Sequence, residues 1–149
     1  MPDPLRLAFL GCGFITRVHS QHLKALGGDV VPSYASRDRD KADAYCRQFR
    51  GAGTYASYAA AIADPAIDAV VIAVPPKFHL ALAHEALAAG KHVVERRVAA
   101  EVPPPAGVAH LSVVDVAARR RLHLRAPSSR LGLAAGPGER GYGSPCRGA

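Results

Sequence analysis

The chain has 149 residues, the length of one domain, and 49% of them are apolar, enough for a core. No apolar run approaches the ~18 residues of a membrane span, and the N-terminal run breaks at Gly11, too soon for a secretory signal. The net charge of +7 is unevenly placed: residues 1–94 hold ten Lys and Arg against eight Asp and Glu, residues 95–149 nine against four. Cys12, Cys46 and Cys146 are scattered, with no Cys-x-x-Cys, which points to a reducing compartment, the cytoplasm, and to no metal cage.

The apolar run Leu5 to Leu10 reads as a buried strand, ended by Gly11. Gly13 follows, and a helical pattern runs from about Thr16 to Leu26 with Ile15, Val18, His22, Leu23 and Leu26 on its inner side. Strand, glycine turn and helix form a corner that grips phosphate. Gly11 suits a tight turn, Gly13 has no side chain to hold a pyrophosphate away, and the helix start offers unpaired amides and a positive dipole end. The third glycine of G-x-G-x-x-G is replaced by Thr16, which should loosen helix–strand packing modestly, its hydroxyl capping the helix or touching a phosphate. His19 and His22 share a helix face, but no third metal ligand accompanies them.

Val30 to Ser36 reads as a second strand, with Pro32 making its first half an edge or irregular. At its tip, where an Asp or Glu would hold the adenosine ribose hydroxyls, stand Ser36 and Arg37. A hydroxyl and a guanidinium suit a 2′-phosphate, so the tip favours NADP; Asp38 leaves NAD open if the strand ends later. Alternatively, Ser36 or Asp38 simply caps the next helix. That helix runs from Asp38 to Phe49, with Ala42, Tyr45, Cys46 and Phe49 inward. A very short strand at Thr54-Tyr55 and a brief helix, Tyr58 to Ala63 capped by Ser57, follow. Asp68 to Val74 is an unbroken β-branched run, the mark of a strand buried on both faces. Lys77 to Ala89 is helical, and Lys91 to Val94 opens another strand. The alternation predicts an α/β fold, a Rossmann-type doubly wound parallel sheet, incomplete, with an irregular basic tail.

Gly11-Cys-Gly-Phe-Ile-Thr, Ala35-Ser-Arg, Tyr55-Ala-Ser-Tyr, Ile67-Asp-Ala-Val-Val-Ile-Ala-Val-Pro-Pro, His79 and Ala86-Leu-Ala-Ala-Gly-Lys-His-Val follow one another as in a single known family. Over about residues 5–94 the chain resembles the N-terminal NAD(P)-binding domain of the glucose–fructose oxidoreductase / inositol dehydrogenase (Gfo/Idh/MocA) family. The resemblance implies a dinucleotide partner and an oxidoreductase acting on sugars or polyols. It implies cofactor contacts from Gly11, Gly13, Phe14 and Ile15 at the pyrophosphate and from Ser36 and Arg37 at the ribose. Val74, Pro75 and His79 would lie beside the cofactor at the end of the fourth strand; His79 has a second reading as a cap in the first turn of its helix.

The family's next motif is Glu-Lys-Pro, whose Lys serves in proton transfer, and here the chain has Glu95-Arg96-Arg97. Arg does not give up its proton near neutral pH, so no catalytic residue is assigned. The strand is also one residue short of the family's usual length, which would reverse the faces of its side chains. Residues 1–94 are read as the Rossmann domain and 95–125 as a degraded continuation, with a helix from Leu111 to Arg121 and a strand from Leu122 to Arg125. Residues 126–149 are read as a disordered tail. The absence of Lys after Lys91, with Arg, Ala, Pro and Gly abundant, fits a gene read out of frame, a truncation or a degraded paralogue. The family's substrate and oligomerising domain has no place in this length, which leaves the oligomeric state open and catalysis by this chain alone unexpected. The alternative is a basic partner- or nucleic-acid-binding protein on a Rossmann remnant. Arg119-Arg-Arg121 could contact phosphates, but the tail's one aromatic, Tyr142, makes no stacking platform.

Overall fold

The computed structural model describes residues 3–95, 110–111 and 146. The run Leu5–Leu10 forms β1, followed by α1 (Phe14–Lys24), β2 (Val30–Ala35), α2 (Arg39–Phe49), β3 (Thr54–Tyr55) and α3 (Tyr58–Ala63). Next come β4 (Ala69–Ile72), a single 3-10 turn (Pro76–Phe78), α4 (His79–Ala88), β5 (His92–Val94) and β6 (His110–Leu111). All strand pairs are parallel, in the order β3-β2-β1-β4-β5-β6. This is the doubly wound order, whose connections reverse direction between β1 and β4.

The strands read as continuous apolar runs because both faces are covered. Leu7 and Phe9 of β1, with Ala69 and Val71 of β4, pack with Ala42, Cys46 and Phe49 of α2. Ala8 and Leu10, with Val70 and Ile72, face the opposite way onto α3 and α4 through Ala61, Ile62, Ala83, Ala86 and Leu87. Alternation along each strand therefore feeds two cores.

Four expectations need correction. Pro32 lies inside a regular strand, in register with Leu7. Its carbonyl accepts from Ala52 N at 2.8 Å, on the side away from β1, so its missing N–H falls on that side too and costs no β1–β2 bond. Helix α1 buries Thr16 and Ser20, while Ile15 is 49% exposed and His22 lies in solvent. Leu111 pairs as a strand residue with Val94 instead of opening a helix; the expected elements beyond it lie outside the described residues. Cys46 and Cys146 are not separate thiols but a disulfide, with Cα atoms 6.0 Å apart, so Cys146 packs against the core beside α2. The rest of the expected tail, 126–149, is outside the described residues. Among the described residues no helix is long and apolar enough to cross a membrane.

Candidate dinucleotide site

The carboxyl ends of β1, β2 and β4 meet at one edge of the sheet. There Gly11 N donates to Ala35 O and Ala73 N to Leu10 O, each at 2.9 Å. Gly11 has φ +110°, a conformation that suits glycine, and a Cβ on it would stand 2.6 Å from the Ala73 carbonyl oxygen. Gly11 is thus required by the protein itself, where the loop presses on the exit of β4.

Gly13 differs. Its backbone is extended, with φ −108° and ψ −171°, which any residue can adopt, and a Cβ there would meet nothing within 4 Å. It is the N-cap of α1, whose first-turn amides have no acceptor within the helix and no acidic side chain in that turn. Neither strain nor packing asks for glycine here. The space over Gly13 and the helix start is open, so a diphosphate can approach the backbone amides there, and the positive end of the helix suits its charge.

Three further contacts fix the loop. Thr16 is fully buried and its hydroxyl donates to Gly11 O at 2.6 Å, so it neither caps the helix nor faces that space. Tyr45 of α2 donates to Gly13 O at 3.1 Å, and the Cys12 thiol lies 3.8 Å from Ala35 O. Burial pushes the Cys12 thiol up to about 11, with Asp38 adding and Lys41 opposing, so it carries almost no thiolate at neutral pH. Ser20 accepts from Tyr34 at 2.9 Å beneath the helix; burial raises that phenol to about 12. Phe14, 77% exposed, and Ile15 sit on the outer face of the first turn.

The adenosine side lies at the end of β2. Ser36 is buried and its oxygen accepts from Asp38 N at 3.2 Å, which leaves the hydroxyl proton available. Arg37 is exposed beside it. Strand β2 ends at Ala35, and the Asp38 carboxylate accepts from Lys41 N at 3.3 Å as the cap of α2. The capping reading therefore holds for Asp38, and Arg37 is the exposed charge next to Ser36.

At the end of β4, Val74 packs beside Gly11 and Pro75 is exposed. His79 opens α4 without capping it: its Nε2 faces Val74 O at 2.6 Å and its Nδ1 pairs with Glu95 Oε1. Glu95 Oε2 is buried with no partner among the described residues. The sequence reading missed the Tyr45 contact and the His79–Glu95 pair, because both join residues distant along the chain. Arg96 and Arg97 lie outside the described residues. Among those described, no three His, Cys, Asp or Glu gather as metal ligands, and burial, with His22 next, lowers the proton affinity of His19.

Comparison with known proteins agrees with this geometry. An uncharacterised oxidoreductase of Rhizobium meliloti is 39% identical over 103 residues, which cover 67% of this chain and 30% of that protein. A solved oxidoreductase from Thermotoga maritima is 28% identical, with TM-score 0.58 over 62% of this chain and 29% of that one. A levoglucosan dehydrogenase solved with NADH is 27% identical, with TM-score 0.58 over 62% of this chain and 27% of that one. A 3-ketoreductase from Actinomadura kijaniata solved with NADP is 31% identical, with TM-score 0.56 over 62% of this chain and 29% of that one. The chain thus spans under a third of the length of these relatives. Residues 5–102 match the model of the oxidoreductase family with an NAD-binding Rossmann fold, so the chain belongs to the Gfo/Idh/MocA family and carries its dinucleotide-binding domain.

Proposed function

We propose that this domain binds NADP in preference to NAD, as the cofactor module of an oxidoreductase acting on sugars or polyols, and that it does not turn over such substrates by itself. The observation that carries the dinucleotide reading is the open space at Gly13, glycine where neither backbone nor packing needs it. In this reading the amides of Gly13, Phe14 and Ile15 receive the pyrophosphate, Ser36 and Arg37 the adenosine ribose, and Val74, Pro75 and His79 flank the nicotinamide half. A nicotinamide dinucleotide bound there supplies the hydride acceptor or donor.

The relatives include one with NADH and one with NADP, so preference rests on the chain's own residues. Asp38 caps α2 through one carboxylate oxygen, and the hydroxyl of Ser36 and the guanidinium of Arg37 are the groups beside it that suit a phosphate. A charge-assisted hydrogen bond is worth about 1.5–3 kcal/mol, so a preference of about tenfold is expected. Titration with both cofactors, followed by the same titration of Arg37→Ala, tests it. Arg37→Ala should erase most of the preference, whereas tighter NAD binding by the unaltered chain would overturn it.

The case against turnover is chemical. Arg96 occupies the place of the family's proton-transfer Lys, and general acid–base help is worth about 10²–10⁴-fold. Mixing chain, cofactor and a panel of sugars and inositols should produce no change in nicotinamide absorbance. The scattered cysteines point to a reducing compartment, and the Cys46–Cys146 disulfide argues against it, since such bonds are rare in the cytoplasm.

A further inference from the structure

The function just proposed leaves Glu95 without a role, and the geometry around it supplies one. A carbonyl oxygen only accepts hydrogen bonds, so the ring nitrogen of His79 that faces Val74 O must carry a proton. The other ring nitrogen faces a carboxylate oxygen of Glu95. Only two arrangements satisfy both contacts: an imidazolium against a carboxylate, or a neutral ring accepting from a protonated carboxyl. Each keeps the proton on Nε2. The opposite neutral tautomer is excluded, because it would set two lone pairs against each other at Val74.

The contact chain runs from the end of β5 through the start of α4 to the exit of β4. It continues from there to the glycine loop, because the Ala73 carbonyl and Val74 Cγ1 are the atoms that a Cβ on Gly11 would meet first. With the adenosine half at β2, the edge at β4 and β5 takes the other half of a dinucleotide, across the switch point beside β1.

We infer that Glu95 is a positioning residue. Through His79 it fixes the Val74 carbonyl, and with it the turn leaving β4, so that this edge is already shaped for the nicotinamide half. The inference rests on the dinucleotide reading and adds to it a division of labour: the Glu95–His79 pair serves one half of the cofactor and leaves the other half untouched.

The experiment uses the full chain and two probes, NADPH and 2′,5′-ADP, the second of which lacks the nicotinamide half. Glu95→Ala should weaken NADPH about tenfold, one hydrogen bond's worth, and leave 2′,5′-ADP within about twofold. Glu95→Gln should bind both probes nearly as the unaltered chain does, because an amide can donate to Nδ1 or accept from it. An Ala variant that loses both probes equally, or neither, overturns the inference while the reading stands. A Gln variant as weak as Ala also overturns it, by assigning the effect to charge. An unaltered chain that binds neither probe and no NADH removes the dinucleotide reading, and this inference with it; one that binds NADH alone overturns only the NADP preference, and the same comparison is then made with NADH and ADP. Nitrogen chemical shifts of His79 in the unaltered chain give a check that needs no variant to fold. The account expects a proton fixed on Nε2, and an average over two tautomers would overturn it.

Discussion

Two glycines one residue apart do different work, and a single methyl separates them. At Gly11 the methyl meets a carbonyl oxygen at 2.6 Å in a backbone conformation that L residues rarely adopt. Gly11→Ala should therefore lower stability by about 2–4 kcal/mol, read as a fall in the urea midpoint. Gly13→Ala meets nothing, and its cost is that of a poorer N-cap on α1, at most about 1 kcal/mol. Thr16 makes a similar point about the motif's third position. Its hydroxyl closes the loop onto Gly11 O from a fully buried site, so restoring the usual glycine should destabilise by about 1–2 kcal/mol, through the lost bond and added backbone freedom. Raising the Cys12 thiol from 9.0 to about 11 cuts its thiolate fraction about 100-fold at neutral pH. Cys12 should therefore resist alkylation until the chain unfolds, and rapid labelling in the native state would contradict its burial. The glycine spacing was legible in the sequence. The use of Thr16 was not, because a hydroxyl on a helix's first turn has several partners within reach until the loop's path is known.

Among the elements, the strands were the most legible. Leu5–Leu10 and Thr54–Tyr55 form as expected, since strands buried on both faces leave an uninterrupted apolar signature. Helix α1 was misread in part: Leu23 packs against the core as expected, but Ile15 and His22 face solvent. Thr16 and Ser20 are small and polar, and the close approach of helix to sheet needs small residues there, which an apolar periodicity overlooks. Lys91 shows another long-range device. From the start of β5 its ammonium donates to Asp64 O and Ile67 O, each at 2.7 Å, and holds the turn between α3 and β4. Burial lowers its proton affinity, with Asp64 and Asp68 opposing, so the folded state binds that proton less firmly than the unfolded chain. The sign follows: this group makes stability rise with pH between its lowered folded pKa and its unfolded value. Lys91→Ala should cost about 1–3 kcal/mol and remove that contribution to the pH dependence of urea unfolding, because it leaves the Ile67 carbonyl buried without its donor.

Across the whole molecule, the sheet order places the ends of β1, β2 and β4 together, and that edge gathers the residues the family resemblance pointed to. The order was legible because the alternation of strand and helix admits few topologies. The Cys46–Cys146 pair, 100 residues apart, was not, because spacing alone does not tell which thiols meet. Denatured protein without reductant should titrate one thiol per chain, that of Cys12, and three after reduction. Three without reductant would contradict the pairing. The central claim, that the open space over Gly13 holds a dinucleotide's diphosphate, is tested most directly by titrating NADPH into the unaltered chain and into Gly13→Ala. The account predicts saturable binding at one site per chain, weakened about tenfold or more by the added methyl, while the two proteins differ in stability by no more than the N-cap cost of about 1 kcal/mol. Equal affinity in the two, or none in either, would contradict it.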